Sequence, residues 1–157
     1  MLASAALVSA CDLGPLGASA LRGEPATEPV GDWSFLESQY NVDIQPHADA
    51  WLPAARSWFV VEDGVLWLYA MSTDLEPPWL ARLRDDPSIT LGVDGRLYEA
   101  RATLVTDPAR LEPLLPRVLA KYHLVETPRA RFVPHPERFP DTQIHHWFFA
   151  VVGPPAG

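Results

Sequence analysis

The chain has 157 residues, of which 48% are hydrophobic, and this length suits one domain with a core better than two. The 12 basic residues against 20 acidic ones give a net charge of −8, so we expect no nucleic-acid partner, because the average surface would repel a phosphate backbone. The 17 prolines favour short strands and many turns over long helices, because each proline lacks an N–H donor and fixes φ.

The first segment, residues 1–11, ends in the single cysteine of the chain, Cys11. The letters LVSAC at positions 7–11 resemble a bacterial lipobox, in which the cysteine is lipidated and becomes the mature N-terminus. No lysine or arginine precedes the apolar stretch, which is far shorter than the ~20 residues that span a bilayer. The resemblance implies a protein of the cell envelope, lipid-anchored on the outer side of the cytoplasmic membrane or in the periplasm. The missing basic residues leave two interpretations. Residues 1–11 are a truncated lipoprotein-type signal segment whose true start lies upstream of Met1, or the match is accidental in an apolar tail and the protein is cytoplasmic.

Residues 12–32 contain many Gly, Pro, Ala and Ser residues without a periodic apolar pattern, which is typical of a flexible tether. From Trp33 onwards, aromatic and aliphatic runs alternate with turns. We therefore place the folded domain at residues 33–153. The first of its runs, VDIQP at 42–46, predicts a short strand.

A hairpin is predicted around Asp63-Gly64, because this dipeptide supplies the positive φ angles of a type I′ turn between two strand-like runs. The second of these runs, VLWLYAM at 65–71, is apolar on both faces. One face must meet the core, and the other must be covered by a helix or by a partner subunit.

A short helix is predicted next, since Pro78 can occupy its first turn and Pro87 ends it. A second hairpin follows around Asp94-Gly95. Its two strands alternate between apolar and mostly polar residues, which indicates one buried face and one exposed face.

A second helix is predicted from the N-cap Asp107 onwards, with apolar residues on one face. Pro113 and Pro116 should bend it or delay its regular part. After a proline-rich loop, QIHHWFFAVV at 143–152 predicts a last strand that is apolar on both faces.

The predicted element order is β, β, β, α, β, β, α, β. Antiparallel hairpins with only two helices indicate a mainly β (α+β) fold, a small barrel with six antiparallel strands, rather than a doubly wound sheet. Two strands that are apolar on both faces also predict a homodimer, which would bury part of the outer surface.

The region PPWLARLRDDPSITLGVDGRLYEARATLVTDPARL, at 77–111, resembles the flavin-binding split-barrel superfamily of pyridoxamine 5'-phosphate oxidase-like proteins. Within it the deazaflavin-dependent nitroreductase-like branch is most similar. The positions that carry the resemblance are Pro77, Trp79, Leu83, Asp86, Pro87, Gly95, Tyr98, Ala100 and Ala102. The resemblance implies a dimeric split barrel that holds flavin mononucleotide or a deazaflavin between its subunits, with the phosphate bound by Arg, Lys, Ser or Thr.

The positions that we would test for phosphate contact are Arg56, Ser72, Thr73 and Arg82. The alternative is that they are ordinary surface or capping residues, which are common on short loops. The chain departs from the family pattern here, because Arg56 alone stands where a basic cluster is usual. Asp74 and Glu76 also bring carboxylates close to the expected phosphate. Two functions therefore stay open: an envelope-anchored flavin- or deazaflavin-dependent oxidoreductase, and a non-catalytic split-barrel lipoprotein that has lost the phosphate site.

Other candidate residues favour structural roles. His145 and His146 would face opposite ways on a strand, and no carboxylate or cysteine stands at metal spacing beside them, so we expect no metal site. Trp58, Trp67 and Trp147 could line a planar ligand, but core or dimer-interface positions are the better interpretation. No nucleophile with a base, carboxylate pair or glycine-rich phosphate loop identifies catalytic residues.

Overall fold

The computed structural model of the protein describes residues 20–48, 53–72, 77–122 and 146–154. The strands are β1 (Glu24–Pro25), β2 (Asn41–Pro46), β3 (Ala55–Glu62), β4 (Val65–Ser72), β5 (Ser88–Val93), β6 (Arg96–Val105) and β7 (His146–Gly153). The helices are α1 (Pro78–Arg82), α2 (Pro108–Leu111) and α3 (Leu115–Lys121), with 3-10 turns at Ser34–Leu36 and Glu112–Leu114.

The strands β2 to β7 form a closed antiparallel barrel. Their order around the ring is β6, β5, β2, β3, β4 and β7, and β7 closes the ring by pairing with β6. The predicted barrel of six antiparallel strands with two helical regions is therefore confirmed. Because α2, a 3-10 turn and α3 follow one another without a break, they form the second of these regions.

Both predicted hairpins are present, and their turns have the backbone that Asp-Gly favours. The φ angles are 51° at Asp63 and 76° at Gly64, and 48° at Asp94 and 77° at Gly95. Positive φ at both central residues is the mark of a type I′ turn, whose twist matches that of the flanking strands. The two turns fix the register of β3 with β4 and of β5 with β6.

The apolar core has two layers. The inner layer fills the barrel with alternate residues of all six barrel strands, among them Ile44, Phe59, Leu68 and Leu91. The outer layer lies between the outside of the barrel and the second helical region, and it consists of Val60, Trp67, Tyr69, Val105, Leu111, Leu114, Val118 and Phe149. The second face of β4 is thus covered by a helix, one of the two predicted alternatives, and does not require a partner subunit.

The second helical region is interrupted as its prolines predict. Asp107 accepts a hydrogen bond from the N–H of Ala109 at 3.0 Å and caps α2. Pro113 lies in the 3-10 turn that separates α2 from α3, and Pro116 lies in the first turn of α3, where its missing N–H costs no hydrogen bond. None of the described helices is both long and apolar enough to cross a membrane.

Residues 20–32, part of the predicted tether, lie along the barrel. β1 pairs in parallel with the start of β6, with Glu24 opposite Arg96 and Pro25 opposite Leu97. Val30 packs against the inner layer. Residues 20–32 are thus attached to the domain through the backbone pairing of β1, which the composition did not indicate. Residues 12–19 lie outside the described residues.

Candidate functional site

A cleft of about 630 Å³ lies where the second hairpin, β2, β3 and residues 20–22 meet. Three arginines line it, Arg22, Arg56 and Arg96, and we name it the arginine cleft. The Asp94-Gly95 turn forms part of its wall. The volume falls within the range of small-molecule sites, roughly 300–1,000 Å³, so the second hairpin lines a cleft large enough for a ligand.

The arginine cleft is locally cationic on an acidic protein. Its three arginines against two aspartates, Asp43 and Asp94, leave one positive charge in excess, whereas the whole chain carries −8. Both aspartates have partners: Arg56 Nε donates to Asp43 at 3.0 Å, and Gln39 Nε2 donates to Asp94 at 3.0 Å. The hydrogen bond and the charge of Asp43 raise the pKa of Arg56, which therefore stays charged.

Arg22 and Arg96 are exposed, and neither has an ion-pair partner within the described part of the chain. Each guanidinium carries five N–H donors in a planar fork that matches the oxygens of a phosphate or carboxylate. The arginine cleft therefore fits an anionic ligand group.

β1 brings Arg22 to the cleft through a close approach of two backbone segments. A Cβ atom on Gly23 would lie 2.5 Å from the carbonyl oxygen of Gly95, so a larger residue would push the segments apart. Glu24 N–H donates to the same oxygen at 2.9 Å. The position of Arg22 thus depends on the glycine beside it.

A smaller depression of about 200 Å³ adjoins the arginine cleft and is lined by Arg56, Trp58, Tyr69 and Ala70. Arg56 and Trp58 are two residues apart on β3, so their side chains share a face at a spacing of about 6.6 Å. Trp58 is 36% exposed, and part of its ring is open to a planar group. Trp58 is therefore the one predicted tryptophan that a ligand can reach in the described structure.

Tyr122 holds the Trp58 ring in position. The two rings are stacked, with centroids 4.8 Å apart and an interplanar angle of 16°. The Tyr122 hydroxyl accepts a hydrogen bond from Phe59 N–H at 3.0 Å and donates to the carbonyl oxygen of Tyr40 at 2.7 Å. Burial raises the pKa of Tyr122, so the hydroxyl keeps the proton that it donates.

The structure brings only part of the predicted cofactor-binding set into the cleft. Arg56 lines it, but Arg82 does not. Arg82 lies at the end of α1, where its guanidinium is 4.0 Å from the carboxylate of Asp85. The backbone of Ser72 ends β4, and its side chain is outside the described part. The other predicted positions outside the described residues are Cys11, Thr73, Asp74 and Glu76.

The remaining aromatic and histidine candidates lie away from the cleft or outside the described part. Trp67 is buried in the outer layer, with the Arg110 guanidinium 5.5 Å from its ring centroid, which confirms a core position. His145 and the side chains of His146 and Trp147 are not among the described atoms. The described residues contain no group of three or more His, Cys, Asp or Glu that could hold a metal ion.

Sequence reasoning missed Arg22, Arg96 and Tyr122. Arg96 follows the Asp94-Gly95 turn directly, so the predicted hairpin could have pointed to it. Arg22 lies in the stretch predicted as a tether, and only the pairing of β1 brings it to the barrel. No local signal links Tyr122 with Phe59, because 63 residues separate them.

No family model and no curated protein sequence matches the chain. Solved structures do match it. A protein from Listeria innocua, named as a candidate pyridoxamine 5'-phosphate oxidase, has a TM-score of 0.52 and 14% identity over 78% of this chain and 90% of its own. An F420 reductase has a TM-score of 0.47 and 20% identity over 82% of this chain and 97% of its own. At these identities the first similarity shows the fold alone.

Proposed function

We propose, on the premise that this chain has the split-barrel fold of pyridoxamine 5'-phosphate oxidase-like proteins, that it is an oxidoreductase that binds flavin mononucleotide or a deazaflavin. The observation that carries the proposal is the position of Arg56, which lines both the arginine cleft and the depression beside Trp58. Because the two depressions share this residue, one ligand with an anionic group and a planar ring can reach both.

The arginines are the groups that would bind the phosphate of such a cofactor. Arg56 uses its Nε for Asp43, which leaves its terminal nitrogens for a phosphate oxygen. Arg22 and Arg96 supply further donors, and the excess positive charge offsets part of the phosphate charge. A charge-assisted hydrogen bond of this kind contributes about 1.5–3 kcal/mol.

Trp58 is the group that would contact the planar ring. Stacking between aromatic rings adds about 0.5–1.5 kcal/mol beyond the burial of area, and the contact with Tyr122 limits the rotation of the indole. A flavin or deazaflavin would supply hydride transfer, while the protein binds and orients it. The residues of the two depressions thus fit both ends of this cofactor class.

A non-catalytic split-barrel protein is the second candidate, and the Arg56–Asp43 pair favours it. Asp43 lies directly opposite Arg56 in the β2–β3 ladder, and its carboxylate is bound to the guanidinium at 3.0 Å. A carboxylate this close competes with a phosphate for the same charge. If the Asp43 carboxylate excludes the phosphate from Arg56, the barrel keeps its fold but binds no cofactor.

Fluorescence titration of the purified protein with flavin mononucleotide and with a deazaflavin tests the proposal. We expect quenching on binding, and we expect Arg56→Ala and Arg96→Ala each to weaken binding about 10- to 150-fold, since each removes a charge-assisted hydrogen bond. Arg110→Ala is the matched control, because Arg110 is an exposed arginine over Trp67 and outside the cleft.

The outcomes separate the two candidate functions. Saturable binding that both cleft substitutions weaken supports the oxidoreductase. No binding by the folded wild-type protein supports the non-catalytic barrel. Tight binding that survives both substitutions would mean that the cofactor lies elsewhere. Haem serves as a control ligand, because His145 and His146 are common ligand types for haem iron.

A further inference from the structure

Lys121, at the end of α3, is the only lysine of the chain, and its amine lies against apolar surface. Nζ is 3.7 Å from the centroid of the Phe59 ring. Phe59 is fully buried in the inner layer, so the amine lies next to the barrel interior. Most lysines instead extend the amine into water.

A cavity of about 300 Å³ opens beside this amine, and we name it the lysine cavity. It is lined by Glu37, Val60, Val61, Arg117, Ala120 and Lys121. Arg117 forms an ion pair with Glu62, and about half of its side chain is exposed, so it has donors left for an anionic ligand. The lysine cavity thus combines an amine, a guanidinium and a carboxylate with partly apolar walls.

Burial lowers the pKa of Lys121 to about 8, although the negative charge of Glu37 acts in the opposite direction. Within the described structure, no carboxylate lies within ion-pair distance of Nζ. Apart from Glu37, Arg117 is the other charged group that lines the lysine cavity, and its ion-pair partner Glu62 lies outside the lining. A neutral amine is the nucleophilic form of lysine, and more of it is present near neutral pH than for an ordinary lysine.

We propose that Lys121 is a covalent binding site for small aldehydes that carry a carboxylate, which it holds as an imine in the lysine cavity. Arg117 pairs with the carboxylate of the aldehyde, and Nζ attacks the carbonyl carbon. Arginine is suited to bind the carboxylate of the aldehyde because the N–H donors of its planar guanidinium match the two carboxylate oxygens.

The reaction balances without an oxidant or a reductant. Nζ forms a bond to the carbonyl carbon, and the proton that the nitrogen loses passes to the carbonyl oxygen, which gives a carbinolamine. The nitrogen then gives up its second proton to the hydroxyl group, the C–O bond breaks, water leaves, and a C=N bond remains. Glu37 is the carboxylate of the lysine cavity and can relay the proton between nitrogen and oxygen.

Reductive trapping of the whole protein with glyoxylate and cyanoborohydride tests the site. We expect peptide mass mapping to find one carboxymethyl group on Lys121. At about pH 7.5, the trapping rate should exceed that of Nα-acetyl-lysine by on the order of 100-fold, the ratio of neutral amine for pKa values of about 8 and 10.4. Unfolding in urea should remove this advantage, and Lys121→Arg should abolish the adduct.

A second aldehyde tests the recognition of the carboxylate. Arg117→Gln should slow trapping of glyoxylate about tenfold, the effect of losing roughly 1.4 kcal/mol of binding, and leave trapping of the uncharged propanal unchanged. Arg110→Gln, on the same helical region but outside the lysine cavity, should change neither rate. Equal rates for Lys121 and Nα-acetyl-lysine would overturn the proposal. An Arg117→Gln variant that slows both aldehydes alike, or neither, would overturn the role of Arg117.

Discussion

The hydroxyl of Tyr122 takes the place of a strand partner for Phe59. The β2–β3 ladder ends with Asn41 opposite Trp58, so Phe59 lies just beyond it. The Tyr122 hydroxyl accepts a hydrogen bond from Phe59 N–H at 3.0 Å and lies 2.8 Å from the carbonyl oxygen of Phe59. One side chain therefore satisfies the backbone at the point where the ladder stops.

Removal of this hydroxyl should destabilise the protein. Tyr122→Phe leaves the ring on Trp58 but leaves Phe59 N–H without its partner, and an unsatisfied buried donor costs about 1–3 kcal/mol. Urea unfolding followed by tryptophan fluorescence measures the loss. Tyr98→Phe is the control, because the described structure gives the Tyr98 hydroxyl no hydrogen bond. Equal stability of the two variants would contradict the role of Tyr122.

Substitution of Gly23 should detach β1 from the second hairpin. An alanine Cβ there would lie 2.5 Å from the carbonyl oxygen of Gly95, so the Glu24–Gly95 hydrogen bond must stretch or break, at a cost of about 1 kcal/mol. Flavin binding should weaken as well, because Arg22 moves with β1. Gly31→Ala is the control, since nothing lies within 4 Å of its added Cβ. Unchanged unfolding and titration curves for Gly23→Ala would contradict this account.

Stability should depend on pH through Lys121. Its pKa is about 8 in the folded protein, against 10.5 without the fold, so between these values the unfolded chain binds more protons. The free energy of unfolding should therefore rise with pH in this window. Urea unfolding at several pH values, compared with Lys121→Met, isolates the effect, because both proteins share every other titrating group. Identical pH dependence in the two proteins would rule it out.

The protein is expected to form a homodimer. Because the described outer layer covers one face of β4 with a helix, the interface should draw instead on exposed aromatic residues such as Phe35 and Tyr40, which are 53% and 54% exposed. Phe35→Ser should raise the dimer dissociation constant about tenfold or more. Val65→Ser removes an exposed side chain that is not aromatic, so its dissociation constant shows the effect of losing any exposed apolar side chain. Sedimentation of the wild-type protein as a monomer at micromolar concentration would refute the dimer.

Lipidation of Cys11 is expected to bind the protein to membranes. The wild-type protein made from its natural start codon should sediment with membranes, and Cys11→Ala should release it into the soluble fraction. A single acyl chain gives only marginal binding, so stable anchoring requires more than one. If both forms stay in the soluble fraction, the lipobox match is accidental.

The parts of the fold that could be predicted are those whose backbone conformation is determined by a few neighbouring residues. Asp63-Gly64 and Asp94-Gly95 specify type I′ turns because few other dipeptides tolerate positive φ at both positions. Asp107 caps a helix with its own side chain, and Pro113 interrupts that helix because it lacks an N–H. In each case the cause lies within a few residues of the effect.

The parts that could not be predicted depend on contacts between distant segments. Arg22 lines the same cleft as Arg56 because β1 pairs with β6, and β1 is a strand of two residues that carries no apolar pattern. The bond of Tyr122 to Phe59 likewise requires the closed barrel and the packed helix. The family resemblance led to the predicted set of Arg56, Ser72, Thr73 and Arg82. The register of the strands decides which of these side chains line the same cleft.

The closure of the barrel by β7 has a consequence for the order in which the protein can be made. β7 pairs on one edge with β4 and on the other with β6, and the ribosome synthesises it after every other strand of the barrel. A sheet formed by the other strands before β7 emerges would be open, with the β7-facing parts of β4 and β6 unpaired. Such edges can recruit strands from neighbouring chains. A chaperone that shields these edges during translation should therefore raise the yield of native protein, and a ribosome stalled before residue 146 should display a chain that is prone to aggregate.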